Sequence, residues 1–267
     1  MKKFFIKIIK ALILLISNFR NNQKILESLI VWLNIQIGNN APVNNLMEVD
    51  FVRRFLNPNK KNLILDIGAF EGKYTDYLLK YYSESIFYLF EPSKNKFEFL
   101  KNKYSENSNC NIINAAVTDT THPRILYSNN LTDSQSTLNY RVEAHRNKLF
   151  NFKEEVNCIK LSNFWKNELS LETIDLLKLD IEGEEFKVLF DIKDYLHKVN
   201  LIQFEFGEAN IASRTFFKDI YEILESKSFS LFRYTSHKKL IEVNHYSEQL
   251  EYFRFTNYIA VNNDFEN

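Results

Sequence analysis

Leu65-Asp66-Ile67-Gly68-Ala69-Phe70-Glu71-Gly72 reads as the end of a β-strand, a glycine turn and the start of a helix. Apolar residues lead into this octapeptide, and apolar residues with helical spacing follow it over residues 74–81. Because glycine has no Cβ, Gly68 and Gly72 allow a ligand to approach the backbone closely. We expect the free amides of the turn and the N terminus of the next helix to face that ligand.

A second apolar run, residues 86–90, ends on Glu91 about twenty residues after the turn, the separation typical of a ribose-binding acid. A carboxylate at that position can accept hydrogen bonds from both hydroxyls of a ribose. The turn and the carboxylate together predict a nucleoside-containing cofactor. The turn alone would also fit an ordinary strand–helix connection with no ligand.

The spacing of the glycines distinguishes between cofactors. A dinucleotide fingerprint reads G-x-G-x-x-G, but Ala69 and Phe70 stand between Gly68 and Gly72. The missing middle glycine argues against a pyrophosphate, and the carboxylate of Asp66 at the strand end would repel one. A cationic ligand suits Asp66 better. S-adenosylmethionine, which carries a sulfonium and an ammonium group and no phosphate, is the cofactor that fits.

The composition limits the class of protein. The chain has 267 residues, 45% of them hydrophobic, enough for one large domain or one domain with a small appendage. The 34 lysines and arginines balance the 34 aspartates and glutamates, which argues against a nucleic-acid partner. Cys110 and Cys158 lack the spacing of metal ligands, and we expect reduced thiols in a cytoplasmic protein.

The first 56 residues predict a helical extension, followed by the main domain at residues 57–267. Lys7 and Lys10 interrupt the apolar stretch at residues 4–16, which is too short to span a bilayer. As a helix this segment is amphipathic. It can dock on its own domain or on a second copy in a homo-oligomer, or residues 1–20 can make peripheral contact with a membrane.

Strands alternate with helices in the remaining sequence, which predicts an α/β fold with a mostly parallel sheet and helices on both faces. The strands are expected near residues 63–67, 86–91, 112–117, 174–180, 201–206, 228–234 and 251–261. Residues 118–160 are less regular, and we expect short strands and a cover over the site there.

Acidic residues end four of these strands: Asp66, Glu91, Asp180 and Glu205. The carboxyl ends of parallel strands share one edge of the sheet, where ligands bind in open α/β folds. Four converging carboxylates would repel each other without a partner, so a ligand site is favoured. Helix capping, or a salt bridge to Lys178, is the alternative for the last two.

Several motifs resemble the FkbM-type methyltransferases, over roughly residues 60–262. They are residues 65–72, Phe90-Glu91-Pro92-Ser93, Asn114-Ala115-Ala116-Val117, residues 175–185, residues 203–207, Asn210, residues 214–217 and Thr256-Asn257-Tyr258. The K-x-D-x-E-G-x-E element from Lys178 to Glu185 is the most specific of them. Phe70 departs from the family, which often has asparagine at that position.

The resemblance implies a class I, Rossmann-like methyltransferase fold with a seven-stranded sheet whose last strand is antiparallel. It also implies S-adenosylmethionine as the cofactor and, usually, O-methylation of a hydroxyl. The matched positions assign the methionine end to Asp66, Gly68, Ala69 and Gly72, the ribose to Glu91 followed by Pro92 and Ser93, and the adenine to residues 114–117, including Ala115 and Ala116. Phe70 would add an aromatic face near the cation.

A hydroxyl acceptor must lose its proton, and Asp180 or Glu205 is the expected base, unless the two hold a divalent metal ion that acidifies the hydroxyl. His145 is a weaker candidate. The acceptor is expected to be a sugar, a glycan or a related small molecule. Three alternatives remain: a nicotinamide-dependent oxidoreductase, a glycan-modifying enzyme that uses a nucleotide sugar, and a non-catalytic Rossmann-like binding module.

Overall fold

A computed structural model describes residues 2–17, 23–130, 135–143, 148–235 and 237–264 of the chain. The helices are α1 Lys2–Ser17, α2 Gln23–Gln36, α3 Asn45–Val52, α4 Lys73–Leu79, α5 Lys94–Lys103, α6 Leu161–Glu168, α7 Glu185–Asp191, α8 Ala209–Ser213 and α9 Phe217–Ser226. The strands are β1 Leu63–Ile67, β2 Ile86–Phe90, β3 Cys110–Ile113, β4 Ala116–Val117, β5 Arg124–Ser128, β6 Val142–Glu143, β7 Lys148–Leu149, β8 Phe152–Val156, β9 Cys158–Ile159, β10 Ile174–Leu179, β11 Val199–Phe206, β12 Phe229–Tyr234, β13 Leu240–Glu242 and β14 Thr256–Asn262.

The main sheet has the order β13-β12-β14-β11-β10-β1-β2-β3. Strands β3, β2, β1, β10 and β11 run parallel, and β14 lies antiparallel between β11 and β12. The expected Rossmann-like class I methyltransferase sheet is therefore confirmed, but it has eight strands rather than seven. The additional strand is β13, which pairs antiparallel with β12 at the edge and is too short to produce a periodic sequence signal.

The third predicted strand is divided in the structure. Strand β3 belongs to the main sheet, whereas β4 leaves it and pairs with β9. The division falls at Asn114, whose side-chain amide donates to the carbonyl oxygens of Glu91 (2.9 Å) and Pro92 (3.0 Å). This contact turns Ala115 and Ala116 away from the sheet and across its carboxyl edge.

Helices cover both faces of the sheet, as the alternating pattern predicts. Leu65 and Ile67 of β1 pack in the core under α6, α7 and α9, while Ile64 packs in the core under α3, α4 and α5. Successive side chains of a strand point to opposite faces, so Asp66 lies on the same face as Ile64.

Helix α3 packs in the core although it lies before residue 57. Val49, Phe51, Val52 and Leu56 are at most 2% exposed, and the Phe51 ring stacks on Tyr234 with centroids 4.4 Å apart. The division between residues 1–56 and 57–267 stays a prediction, and the packed core begins on the N-terminal side of it. By contrast, α2 has no buried residue.

No helix within the described ranges is both long and apolar enough to cross a bilayer.

Truncating Phe51 tests whether α3 belongs to the folding unit. We expect Phe51→Ala to lower the free energy of unfolding by about 3–5 kcal/mol, because it leaves a cavity against Tyr234. The matched control is Ile30→Ala in α2, at a side chain that is 57% exposed, which should change stability by less than about 0.5 kcal/mol. Denaturant unfolding measures both, and equal effects would contradict a core role for α3.

Candidate active site

Two adjacent cavities open at the carboxyl edge of the sheet. The apolar cavity has a volume of about 540 Å³ and lies over β1, β2 and β4. The acidic cavity has a volume of about 1050 Å³ and lies between α3, α4 and the ends of β10 and β11. Gly68, Phe70, Asp180 and Glu182 line both, so these four residues form the wall that the cavities share.

Glu91 lies on the wall of the apolar cavity and is only 4% exposed. One of its carboxylate oxygens accepts the amide of Phe70 (3.0 Å) and the other accepts the amide of Ser93 (2.9 Å). Burial raises the pKa of Glu91 to about 7, although Lys96 and the two amides oppose the shift. Each oxygen keeps a lone pair for a further donor, such as a ribose hydroxyl.

The amides of the glycine turn are not free. Those of Gly68 and Ala69 both donate to the carbonyl oxygen of Phe90, each at 3.0 Å, and that of Gly72 donates to Ala69 (2.8 Å). The expectation that these amides face a ligand is therefore wrong. The amide of Phe70 is occupied by Glu91, so none of these four turn amides is available to a ligand.

Gly68 brings the turn against the end of β10. Its φ is +87°, and a Cβ at this position would lie 2.0 Å from the carbonyl oxygen of Asp180. Phe70 also has a positive φ, 51°, and its ring faces the ammonium of Lys96, 4.7 Å from the centroid. The Phe70 ring therefore lies beside a lysine, and its contact with the cation of a cofactor stays a prediction.

Four of the predicted cofactor residues do not line the apolar cavity: Asp66, Ala69, Gly72 and Ser93. Ala69 lines the acidic cavity, and Ser93 contributes through its amide on Glu91. Gly72 has a φ of +73° and packs under Tyr104, whose hydroxyl donates to its carbonyl oxygen at 2.8 Å. The close contact with Tyr104 explains why residue 72 is a glycine.

The predicted adenine segment lines the apolar cavity with small side chains. Ala115 and Ala116 lie on its wall together with Pro92, and Leu126 and Leu138 cover it from the irregular segment. The expected short strands and cover over the site are thereby confirmed. A flat aromatic base would be enclosed by apolar surface on this side.

Asp66 lies beneath the shared wall and lines neither cavity. Its side chain is fully buried, accepts a hydrogen bond from the Thr75 hydroxyl (2.7 Å) and lies 3.4 Å from the Lys178 ammonium. The second oxygen has no hydrogen bond, so its link to Lys178 is ionic. A direct contact between Asp66 and a cofactor stays a prediction that this position does not favour.

Lys178 joins Asp66 to the shared wall. It lies opposite Asp66 in the register of β1 and β10 and is 3.1 Å from the carboxylate of Asp180. Burial opposes its positive charge, but Asp180 and Asp66 outweigh burial and hold the pKa of Lys178 above its ordinary value. The ammonium therefore stays charged and keeps the Asp180 side chain oriented at the wall.

The acidic cavity brings together the two predicted catalytic residues, Asp180 and Glu205, with Glu48 and Glu182. Burial, with Asp180 next in size, raises the pKa of Glu205 well above its usual range. Burial also raises the pKa of Glu48 to about 7, while Lys178 opposes that shift. Both carboxyls therefore keep a proton to a higher pH than exposed glutamates do.

The other acidic side chains between Lys178 and Glu185 accept backbone amides or form ion pairs with arginines. Glu185 accepts the amides of Ile181 (3.1 Å) and Gly183 (3.0 Å), and Glu182 pairs with Arg141 at 3.0 Å. Glu184, which is 1% exposed, pairs with Arg124 at 3.1 Å. These contacts fix the turn that carries Asp180.

Sequence reasoning missed Glu48, Lys96 and Tyr74 as site residues. Glu48 lies in the segment that the sequence assigns to the extension. Tyr74 belongs to the helical pattern after the turn, and its hydroxyl donates to Gln203 (2.7 Å). His145 lies outside the described residues. Within those residues, no group of three or more histidine, cysteine or acidic side chains could hold a metal ion, and the divalent ion stays untested.

Comparison with solved structures gives distant similarities. The FkbM methyltransferase of Methylobacillus flagellatus KT is 12% identical with a TM-score of 0.45, and the match covers 74% of this chain and 43% of that protein. This chain therefore spans less than half the length of that protein.

Two further structures have similar scores. An S-adenosylmethionine-dependent O-methyltransferase of Thermotoga maritima is 13% identical, with coverage of 82% and 66% and a TM-score of 0.41. The M. capricolum TrmK, solved with S-adenosyl-homocysteine, is 14% identical, with coverage of 82% and 70% and a TM-score of 0.42.

Sequence comparison is more specific. No curated protein matches the chain. The profile of the methyltransferase FkbM domain matches residues 66–231, which include the glycine turn, Glu91 and the Lys178–Glu185 element. Since the match spans more than half of the 267 residues, the chain belongs to the FkbM methyltransferase family.

Proposed function

We propose that this methyltransferase transfers the methyl group of S-adenosylmethionine to a hydroxyl of a sugar, a glycan or a related small molecule. The observation that carries the proposal is the shared wall. Asp180 borders both the apolar cavity, which contains Glu91, and the acidic cavity, which contains Glu205. A donor in the first cavity and an acceptor in the second would meet beside a carboxylate.

The residues of the apolar cavity fit S-adenosylmethionine. Glu91 offers a buried carboxylate to the ribose hydroxyls, and Ala115 and Ala116 offer an apolar wall to the adenine. Asp180 and Glu182 border the end where the sulfonium and ammonium groups would lie. They take over the electrostatic role that the sequence suggested for Asp66.

The bound cofactor would supply an activated methyl group, and the chain would supply position and a base. The electron pair of the carbon–sulfur bond would remain on the sulfur, and Asp180 or Glu205 would accept the proton of the acceptor hydroxyl. Positioning contributes up to about 7–11 kcal/mol in favourable cases, and a base contributes about 10²–10⁴-fold.

The rival ligands fit less well. Nicotinamide cofactors and nucleotide sugars both carry a diphosphate, which normally binds to free turn amides. The amides of Gly68 and Ala69 are bonded to Phe90, and the carboxylates of Asp180 and Glu182 would repel the phosphates. A binding module without catalysis would keep the apolar cavity and show no product.

Calorimetric titration tests the cofactor. We expect S-adenosylmethionine and S-adenosylhomocysteine to bind, and Glu91→Gln to weaken both by about 10- to 100-fold, because hydrogen bonds to a charged group are lost. The matched control is Glu71→Gln, which removes an exposed carboxylate paired with Lys73 at the same turn. Tight binding of a nicotinamide cofactor or a nucleotide sugar instead would contradict the proposal.

Cofactor affinity should depend on pH through Glu91. Its pKa of about 7 lies above the ordinary value, so the carboxylate is ionised above neutral pH and gains a proton as the pH falls. If the ribose binds the ionised form, affinity should fall about tenfold from pH 8 to pH 6. Titrations at both pH values check this. If the affinity of Glu91→Gln also falls tenfold from pH 8 to pH 6, Glu91 is not the cause of the pH dependence.

Substitution of the two acids tests the base. We expect Asp180→Asn or Glu205→Gln to lower kcat by about 10²–10⁴-fold because the proton acceptor is removed. Cofactor affinity should change less than about twofold in Glu205→Gln, since Glu205 does not line the apolar cavity. The base should also give an ascending limb in the pH–rate profile that its variant lacks. Methyl transfer to a panel of sugar and glycan hydroxyls measures this, and wild-type rates in both variants would exclude both residues.

A further inference from the structure

We infer that α1 and α2 form a surface that docks on an anionic lipid bilayer. This inference is independent of the transferred group. It begins with exposure: Ile30, Val31, Trp32 and Leu33 are consecutive apolar residues of α2, exposed by 57%, 37%, 56% and 48%. Four consecutive helical residues point in four directions, so the apolar surface surrounds this part of the helix. Such a run in contact with water requires a partner.

Helix α1 adds a basic face to this surface. Phe4, Ile6, Ile8 and Ile9 are exposed by 44–70%, and Lys7 and Lys10 beside them are also exposed. Lys7 and Lys10 are three residues apart, so they fall on one side of the helix. A helix with an apolar side and a lysine side is the arrangement that lies in a lipid interface.

Charge distinguishes lipid from a second copy of the chain. Residues 1–36 contain six basic residues and one acidic residue, whereas residues 37–267 contain 28 basic and 33 acidic residues. Two such N-terminal segments carry the same sign and would repel each other. An anionic bilayer surface attracts them and also accepts the exposed Trp32, because tryptophan favours the interface of a membrane.

The C-terminal end of α2 is fixed to the main domain. The Asn39 side chain donates to Asn34 (2.9 Å) and accepts from Arg233 (2.8 Å), and Gly38 packs against the Tyr234 carbonyl, where a Cβ would lie at 2.2 Å. The chain then continues through residues 43–48, part of which lines the acidic cavity. A bilayer bound to α2 would therefore lie close to that cavity.

Vesicle binding of the full chain tests the inference. We expect binding to phosphatidylcholine vesicles that contain phosphatidylserine, weakened by raising the salt from about 0.1 M to about 1 M. The Lys7→Gln/Lys10→Gln variant should bind about 25-fold more weakly, since each lysine near an anionic surface contributes about fivefold. The matched control is Lys60→Gln/Lys61→Gln, which removes two exposed lysines elsewhere and should bind like the wild type.

Fluorescence identifies the surface that enters the lipid. The chain has two tryptophans, and Trp165 is fully buried, so a blue shift on vesicle addition would report Trp32. Trp32→Phe should lose the shift.

Three results would overturn the inference. The first is equal binding of the two double-lysine variants, and the second is no preference for phosphatidylserine. The third is a blue shift that appears without vesicles as the protein concentration rises, together with a dimer in sedimentation. The last result would assign the surface to a second copy.

Discussion

The buried ammonium of Lys178 is the interaction around which the carboxyl edge is organised. A charge at 4% exposure is tolerated only with close counter-charges, and Asp66 below it and Asp180 above it supply them. Because β1 and β10 pair in register, the charges of Asp66, Lys178 and Asp180 also link the glycine turn to the strand that carries the candidate base. The position of Asp180 at the shared wall thus follows from electrostatic neutralisation in the core.

The two cavities at the carboxyl edge of the sheet differ in their chemistry. The apolar cavity combines one buried carboxylate with alanine and leucine side chains, which suits a nucleoside. The acidic cavity holds carboxylates whose pKa values burial has raised, which suits proton transfer. The amides of Gly68 and Ala69 are occupied by Phe90, so they are not available as the backbone donors that phosphate ligands use.

Local patterns sufficed to predict β1, β2, Glu91 and the acids at the ends of β10 and β11, because strand periodicity and strand-end position are properties of short segments. The resemblance to the family added Ala115 and Ala116. Glu48 and Lys96 could not be found in this way, since they reach the site from α3 and α5 through long-range packing. The contact of Asp66 with a cofactor stays a prediction, and only the register with Lys178 shows that its charge is neutralised internally.

Gly68 has a consequence for how the site can diverge. The absent Cβ lets the glycine turn touch the Asp180 backbone, so the turn and the shared wall cannot change independently. Under the proposed function, mutations that alter acceptor preference without loss of the donor are expected at residues of the acidic cavity outside the shared wall, such as Val43, Asn45, Gln135 and Phe255. The close contact thereby confines sequence divergence to one part of the site.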